Sequence, residues 1–365
     1  DILFWNFATE AMIWMRSIGD ILKRQVMKMG TTPVTKLKDL FHTIAELPVG
    51  KEKNIGLRAL YRKEMSDHIR SKRFLLILTL VVLTSFASLY GALDSIGDVV
   101  ATDSNFIFLK LFTTSGSSIP SFVSFIALLG PFVGLTLGFD AINSERASGT
   151  LNRLMSQPIY RDSVINGKFL AGAVIIFTMI FAMGGMISAI GLLAIGIPPS
   201  FEEVGRIIAF LFFTSVYVCF WLGLSILFSV LCRHAATSAL SVIACWLFFT
   251  IFLSLLAGII AAALYPLEGY QALFNMVDNY TCELYINRLS PYYLYGEAVT
   301  TILNPGVRSV GVVTTSQIEG AIAGYLPFGQ SLLLVWPHLT ALCAMTLLTF
   351  VLSYLKFMRQ EIRSN

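Results

Sequence analysis

Six long apolar stretches dominate the chain, and none of them contains a lysine, arginine, aspartate or glutamate. A helix needs about 20 apolar residues to cross a bilayer, because the hydrocarbon core is about 30 Å thick. The second stretch is the shortest and is interrupted by Pro131, whereas the third and fifth are long enough to tilt. The pattern predicts an all-α membrane protein with six transmembrane helices, at Phe74–Leu93, Phe122–Phe139, Phe169–Ile197, Ile207–Leu231, Ala236–Leu264 and Leu332–Leu355.

The first 54 residues have a different pattern. Apolar residues such as Leu3, Phe7 and Trp14 recur at helical spacing and are followed by basic residues, which indicates a helix lying at the membrane surface. The end of a seventh span that begins before Asp1 would give the same pattern. A polar linker then runs from Pro33 onwards, and the role of this segment stays open.

A second amphipathic stretch runs from Ile55 to Arg73, directly before the first span. It predicts an elbow helix that lies on the membrane surface and turns into the span near Arg73. We therefore divide the chain into residues 1–54, an interfacial segment with a linker, and residues 55–365, a six-span domain. The apolar face of the elbow consists of Leu57, Leu60, Tyr61, Met65 and Ile69.

The composition agrees with a membrane protein. The chain is 56% hydrophobic and 13% charged, whereas soluble domains contain about 25% charged residues. The net charge of +4 is small, and basic residues do not interleave with aromatic ones as they do in a nucleic-acid groove. We therefore predict no nucleic-acid partner. The partner that the composition indicates is the lipid bilayer.

Lysine and arginine are distributed unevenly between the two sides of the predicted helices. With the N-terminus in the cytoplasm, the cytoplasmic segments carry about 22 of the 26 lysines and arginines. The outer segments then carry about 4 basic residues against about 10 acidic ones. Cytoplasmic loops are enriched in lysine and arginine. We predict a multi-pass protein of the cell (plasma) membrane with both termini in the cytoplasm.

The loop from Tyr265 to Ser331, before the last span, is the longest one outside the membrane. It is rich in tyrosine, proline and glycine but keeps many apolar residues, so we expect a small cap with short helices. Asn279 begins the only N-x-S/T tripeptide of the chain and is a glycosylation candidate, although a chance tripeptide is the plainer interpretation.

Several catalytic motifs are absent from the sequence. There is no G-x-x-x-x-G-K-[ST] phosphate loop, so we predict that the chain is not an ATPase and binds no cofactor. The four histidines form no H-E-x-x-H motif, which argues against a metal site. The six stretches also contain no acid of the kind that ion-coupled carriers use. What remains is transport driven from outside the membrane, a pore, or no transport.

The loop Phe139–Leu170, after the second span, carries the most distinctive pattern. Glu145 marks the water boundary, Gly149 bends the chain, and the hydroxyl of Thr150 can cap a short helix. Pro158 ends that helix. A short capped helix on a stiff loop can act as a lever, although any cytoplasmic loop needs charges and a helix stop.

This loop resembles that of the permease subunits of type-2 ABC exporters, in the branch that includes the copper-processing permeases of denitrifiers. The family pattern is E-x-x-x-G-T-L, then a proline and a basic residue, then G-K at the next span. The stretch LSPYYLYGEAVTTILNP and the ending KFMRQEIR share the resemblance, which covers roughly residue 55 to the end. The matching residues are Glu145, Gly149, Thr150, Leu151, Pro158, Arg161, Gly167 and Lys168.

The resemblance implies a transport complex. Family members pair two six-span permeases, as a homo- or heterodimer, with two separate ABC ATPase subunits that bind ATP and Mg. The short helix after the second span docks on the ATPase, and Glu145 and Arg161 would pin it electrostatically. Arg233 and His234, between the fourth and fifth spans, are candidates for a second contact.

Spans without charges favour a hydrophobic or amphipathic cargo, or an outer cap that is moved mechanically. A membrane scaffold without nucleotide dependence and a passive channel remain alternatives. Small residues on the third span permit close helix approach, within the chain or between chains. These residues are Gly184, Gly185, Ser188 and Ala189.

Overall fold

The computed structural model describes residues 51–102, 105–116, 119–156, 160–309 and 324–360. Within these ranges every regular element is a helix. The described residues from 53 onwards form one compact unit. The predicted interfacial segment of residues 1–54 lies almost wholly outside the described residues, so the division of the chain at residue 54 stays a prediction. Pro158 also lies outside the described residues.

Among the described residues, six helices are long and apolar enough to cross a membrane, and each overlaps one of the predicted spans; the third ends at Ile195, two residues before its predicted end. Shorter helices precede and connect them. In chain order the helices are α1 Lys51–Arg70, α2 Lys72–Thr102, α3 Ile107–Thr113, α4 Phe122–Gly138, α5 Asn143–Ala147, α6 Thr150–Met155, α7 Arg161–Ile195, α8 Phe201–Leu231, α9 Ala235–Leu247, α10 Leu253–Leu264, α11 Ala272–Asn287, α12 Pro291–Leu303 and α13 Phe328–Arg359.

Helix α8, the fourth span, is the most buried of the six, and α4 packs closely along it. Three glycines of α4 spaced by four residues, Gly130, Gly134 and Gly138, face α8. A Cβ atom at Gly134 would lie 2.7 Å from the backbone nitrogen of Leu222, so the two backbones are in direct contact. Small residues at this spacing are how membrane helices approach each other without a hydrophobic driving force.

The small residues that were predicted to permit close packing on the third span do not all lie against another helix. Gly184 of α7 lies against Leu211 of α8, where an added Cβ atom would be 2.4 Å from a Leu211 methyl carbon. At Gly185 no neighbour among the described residues lies within 4 Å of such an atom. The close approach at Gly184 is therefore a contact within the chain.

The fifth span is interrupted near its middle. Helices α9 and α10 are joined by a π-helical turn, Phe248–Phe252. The hydroxyl of Ser290, just before α12, donates to the carbonyl of Phe249 at 2.7 Å. Such π-turns inside long helices occur frequently at functional positions.

Helices α11 and α12 form a hairpin, of which α12 enters the bundle. Ser290, in the turn between them, contacts the fifth span at Phe249. Phe249 lies about 21 Å along this span from its first residue, Ala235. The hydroxyl groups of Tyr295 on α12 and Thr214 on α8 are 3.0 Å apart, and both residues are buried. The loop predicted as an outer cap does contain short helices. Of these, α12 packs between the fourth and last spans, because one of its faces is apolar enough to be buried there, whereas α11 packs mainly against α10.

Candidate functional site

Four segments meet at one end of the bundle, which we call the basic end. They are α1, the loop from α4 to α7, the turn between α8 and α9, and the last residues of α13. The hydroxyl oxygen of Ser229, near the end of α8, accepts from the backbone N–H of Ile142 at 2.9 Å. This bond holds the start of the α4–α7 loop against α8.

A buried ionic cluster joins α1, α5 and α7 at the basic end. The Lys168 ammonium of α7 lies 3.0 Å from Oε1 of Glu145 and 2.9 Å from Oε1 of Glu64. Lys63 of α1 reaches the same two oxygens, at 3.0 Å from Glu145 and 3.2 Å from Glu64. The Lys168 side chain is only 4% exposed, and the two positive charges balance the two carboxylates.

The pKa values in α1 reflect this arrangement. Burial acts to raise the pKa of Glu64, but the charges of Lys168 and Lys63 outweigh it and lower the pKa. Burial acts to lower the pKa of Lys63, but the charges of Glu64 and Glu145 outweigh it and raise the pKa. Burial lowers the pKa of His68, which lines the same polar cleft of about 230 Å³. The directions for Glu64 and Lys63 both favour their charged forms at neutral pH.

The loop between α5 and α6 depends on glycine. Gly149 has a φ of 71°, a left-handed backbone that favours glycine, and its Cβ position is open. The Thr150 hydroxyl donates to the carbonyl of Glu145 at 3.2 Å, a bond from α6 to α5 that the sequence did not predict. Leu151, in the first turn of α6, is 2% exposed and anchors that short helix to the core.

Arg161, the first residue of α7, binds the end of the last helix. Its guanidinium donates to the carbonyl of Gln360 at 2.8 Å and to that of Phe357 at 3.3 Å. A positive charge is favourable at a helix C-terminus, where the final carbonyls lack partners within the helix. The Gln360 side chain also accepts from Arg146 at 2.6 Å and donates to the carbonyl of Val230 at 2.8 Å. The last turn of α13 thus connects the loop to α8.

The structure brings some of the predicted residues together and separates others. Glu145 and Lys168 are in direct contact, whereas Arg161 contacts α13. Arg233 and His234 are exposed in the turn between α8 and α9. Gly167 lies beside Leu60 of α1, where a Cβ atom would be 3.4 Å from that of Leu60, an ordinary contact distance.

Lys63, Glu64 and Gln360 were not predicted as site residues from the sequence. A signal for Glu64 was present, because it falls at helical spacing among the apolar residues of the elbow face, between Leu60 and His68. An acid on an apolar face usually has a partner when it is buried. The partner, Lys168, lies more than 100 positions away in the chain.

The glycosylation candidate lies on α11. Asn279 is 8% exposed, and its side-chain amide donates to the carbonyl of Tyr265 at 2.8 Å. That amide nitrogen is the atom to which a glycan would be attached. Glycosylation of Asn279 stays a prediction, and it would require this bond to break.

Six spanning helices, with an ion-paired junction at one end, place the chain among multi-pass membrane proteins. The family model described as ABC-2 family transporter protein matches residues 58–362. The chain belongs to this family, and it is a membrane permease subunit of an ABC transporter. The resemblance stated from the sequence is thereby confirmed.

Two similar bacterial proteins are consistent with this family assignment. The chain is 28% identical over 198 residues to a probable ABC transporter permease protein NosY of Pseudomonas aeruginosa, covering 53% of this chain and 66% of the relative. It is 31% identical over 137 residues to a probable ABC transporter permease protein NosY of Stutzerimonas stutzeri, covering 37% and 46%. The aligned parts thus span less than two thirds of these relatives.

Proposed function

We propose that this chain is the membrane-spanning half of an ATP-driven exporter, coupled at its basic end to a separate ABC ATPase. The ATPase would bind ATP and Mg, and this chain would bind neither. The observation that carries the proposal is the buried contact between Glu145 and Lys168, which connects the α4–α7 loop directly to a membrane-spanning helix. A force on the loop then reaches the membrane through a stiff connection.

The orientation follows from charge. The basic end collects about 22 of the 26 lysines and arginines of the chain, when residues 1–54 are assigned to the same side. Because such residues are retained on the cytoplasmic side, we assign the basic end and both termini to the cytoplasm of a cell (plasma) membrane. In this orientation α1 lies along the inner surface as the elbow helix, with its apolar residue Leu60 buried.

The stiffness of the connection has a physical basis. Removing one partner of a buried ion pair costs about 3–5 kcal/mol, because the other charge is left uncompensated. If an ATPase pushes α5 and α6, Glu145 moves together with Lys168 on α7 and Glu64 on α1. Closure of the ATPase would therefore tilt the third span and shift the elbow together, which opens the outer side in an alternating-access cycle.

A second permease would complete the conduit. The fifth span is the least buried of the six, and it exposes large apolar residues such as Phe252, Leu255 and Ile259. This face supports a homo- or heterodimer of permeases within the bilayer. At the end opposite the basic end a cavity of about 490 Å³ opens between α3, the start of α4 and the end of α12. Mixed polar and apolar walls suit a hydrophobic or amphipathic cargo.

The first experiment is to purify the complex from its native membrane in mild detergent and identify the proteins that accompany it by mass spectrometry. We expect a stoichiometric protein with a phosphate-binding loop. A chain that purifies alone under these conditions would instead favour the membrane scaffold or the passive channel. The channel predicts ion conductance from the purified chain in planar bilayers, whereas the exporter does not.

A variant then tests the coupling. Glu145→Gln keeps the shape of the side chain and removes its charge, so we expect transport-coupled ATPase activity to fall while membrane insertion is kept. Asp94→Asn is the matched control, because Asp94 is exposed at the other end of α2. Equal coupled activity in the two variants would contradict the role of Glu145.

A further inference from the structure

Helix α1 has an exposed side that is strongly basic. Arg58, Arg62 and Arg70 are exposed, and Lys72, also exposed, follows at the start of α2. None of these four side chains forms an ion pair or a hydrogen bond with a described residue. The other side of α1 is buried, and Leu60 there is 3% exposed. One side of α1 thus packs on the protein, while the other carries positive charge.

The nearby acids do not neutralise this charge. Among the side chains of α1 that the structure describes, Asp67 is the only exposed acid, and it lies 3.8 Å from Lys63. The guanidinium of Arg73, near the start of α2, is bound by Asp140. Lys63 and Arg73 are therefore paired within the protein. The remaining cations, which we call the basic face, are Arg58, Arg62, Arg70 and Lys72.

Contacts at two points relate α1 to the level at which the spans leave the membrane. Leu60 lies beside Gly167, two residues before the apolar stretch of the third span. Arg73 binds Asp140, the residue directly after the apolar stretch of the second span. Because both points lie close to the same boundary, these contacts support an elbow that runs along the membrane surface.

The exposed side of α1 continues into the exposed side of the first span. Only Ser71 separates α1 from α2. Leu76, Leu80 and Leu83 of α2 recur at helical spacing and are exposed, so in a membrane they lie against lipid tails. Ile69, near the end of α1, is 53% exposed as well. The basic face is therefore next to a surface that the bilayer covers.

The chemistry of this surface fits phospholipid headgroups. Guanidinium groups bind phosphate oxygens through two parallel hydrogen bonds. Basic segments beside a membrane span are attracted to anionic lipids, because these give the membrane surface a negative potential. A helix that places cations at headgroup level and apolar side chains beside them is typical of an interfacial helix.

We propose that the basic face of α1 binds the headgroups of anionic phospholipids. The lipid phosphates balance the charges of Arg58, Arg62, Arg70 and Lys72, which the described part of the protein leaves unbalanced. A bilayer without anionic lipid leaves this face with water and salt ions only. The inference rests on the placement of α1 at the membrane surface proposed above, and it does not involve the ATPase.

The test uses the full chain in phosphatidylcholine bilayers that contain a small amount of spin-labelled lipid. Electron paramagnetic resonance measures the fraction of the labelled lipid whose motion the protein restricts. We expect labelled phosphatidylglycerol, which is anionic, to associate several-fold more strongly than labelled phosphatidylcholine. The preference should shrink when the salt concentration rises from about 0.01 M to 1 M, because the Debye length falls from about 30 Å to about 3 Å.

A triple variant assigns the preference to α1. In Arg58→Gln, Arg62→Gln and Arg70→Gln together, we expect phosphatidylglycerol to associate nearly as weakly as phosphatidylcholine, since each basic residue near the surface contributes about fivefold in association. The control variant removes the same number of charges from other exposed residues of the basic end, and it should keep the preference. Its substitutions are Arg233→Gln, Lys356→Gln and Arg359→Gln.

Two results would overturn the proposal. One is equal association of the two labelled lipids with the native chain, and the other is an equal loss of preference in both triple variants. If the triple variant of α1 does not insert stably, Arg62→Glu alone makes the same comparison at one exposed position. The bilayers contain no ATPase, so a negative result leaves the exporter function standing. Loss of the exporter function would likewise leave the lipid preference standing.

Discussion

The Lys168 ammonium lies 3.0 Å from the Glu145 carboxylate, and this contact joins the loop after the second span to the third span inside the protein. Both residues matched the loop pattern in the sequence, 23 positions apart. The Lys168 ammonium also binds a second carboxylate, that of Glu64 on α1, at 2.9 Å. Three segments that could move independently are thus held as one body at the basic end.

Replacing the central cation should disrupt this junction. In Lys168→Met the two carboxylates Glu64 and Glu145 keep only the half-exposed Lys63 between them. We expect the free energy of unfolding to fall by about 3 kcal/mol, because a buried charge loses its partner. Thermal unfolding in detergent, followed by intrinsic tryptophan fluorescence, measures the loss. Lys168→Arg is the control, since it keeps the charge, and an equal loss in both variants would show that packing rather than charge is responsible.

Two glycines of the loop should respond differently to alanine. Gly149→Ala places a side chain at a φ of 71°, which costs about 1–2 kcal/mol in a left-handed backbone. Gly167→Ala adds a Cβ atom at ordinary contact distance from Leu60 and should change stability by less. We expect only Gly149→Ala to lower transport-coupled ATPase activity. The same activity in both would mean that the loop conformation at residue 149 is not needed for coupling.

Acid should weaken the basic end in two stages. Because burial lowers the pKa of His68, the unfolded chain binds a proton that the folded chain resists, and stability falls as the pH drops below the ordinary value of 6.5. The lowered pKa of Glu64 adds stability that is present above its ordinary value of 4.5 and is lost as the pH falls through its folded value.

The variant His68→Gln should therefore remove the first stage and leave the second. Denaturant titrations at pH 8, 6.5 and 5.5 would measure the first stage, and titrations below pH 4.5 would measure the second. An unchanged decline between pH 6.5 and 5.5 in the variant would assign it to another group.

The contact between α4 and α8 should tolerate no side chain at its centre. In Gly134→Val the added atoms meet the backbone of Leu222, because even a Cβ atom would lie 2.7 Å from its nitrogen. Displacing one of two packed backbones costs more than typical overpacking of about 1–3 kcal/mol. We expect little folded protein by size-exclusion chromatography of detergent extracts. Gly185→Val is the control, since that position is open, and poor folding of both variants would point to a general effect of valine in these helices.

Parts of this arrangement follow from local patterns. A stretch of about 20 apolar residues has few alternatives to a membrane-spanning helix, because unpaired backbone groups are costly in lipid. All six spans, the first beginning at Phe74 and the last ending at Leu355, were therefore predicted from the sequence. Gly149 was predicted as a bend, because glycine adopts the left-handed backbone without a steric penalty.

The positions of the ionic partners required the tertiary structure. Glu64 and Lys168 are 104 residues apart, and nothing in either local sequence selects the other. Coulomb attraction chooses its partners by distance in space, and that distance depends on how α1 packs against α7. The role of Gln360, which binds both Arg146 and Val230, was hidden for the same reason.

The sequence by itself determined the six spans, their charge asymmetry and the pattern of the loop after the second span, because hydrophobic length, charge distribution and backbone freedom are local properties. Only the tertiary structure decided that α12 enters the bundle. The 13 residues of α12 are too few to cross a membrane, so burial depended on the groove that α8 and α13 provide. That packing placed Glu297 of α12 beside His338 of the last span.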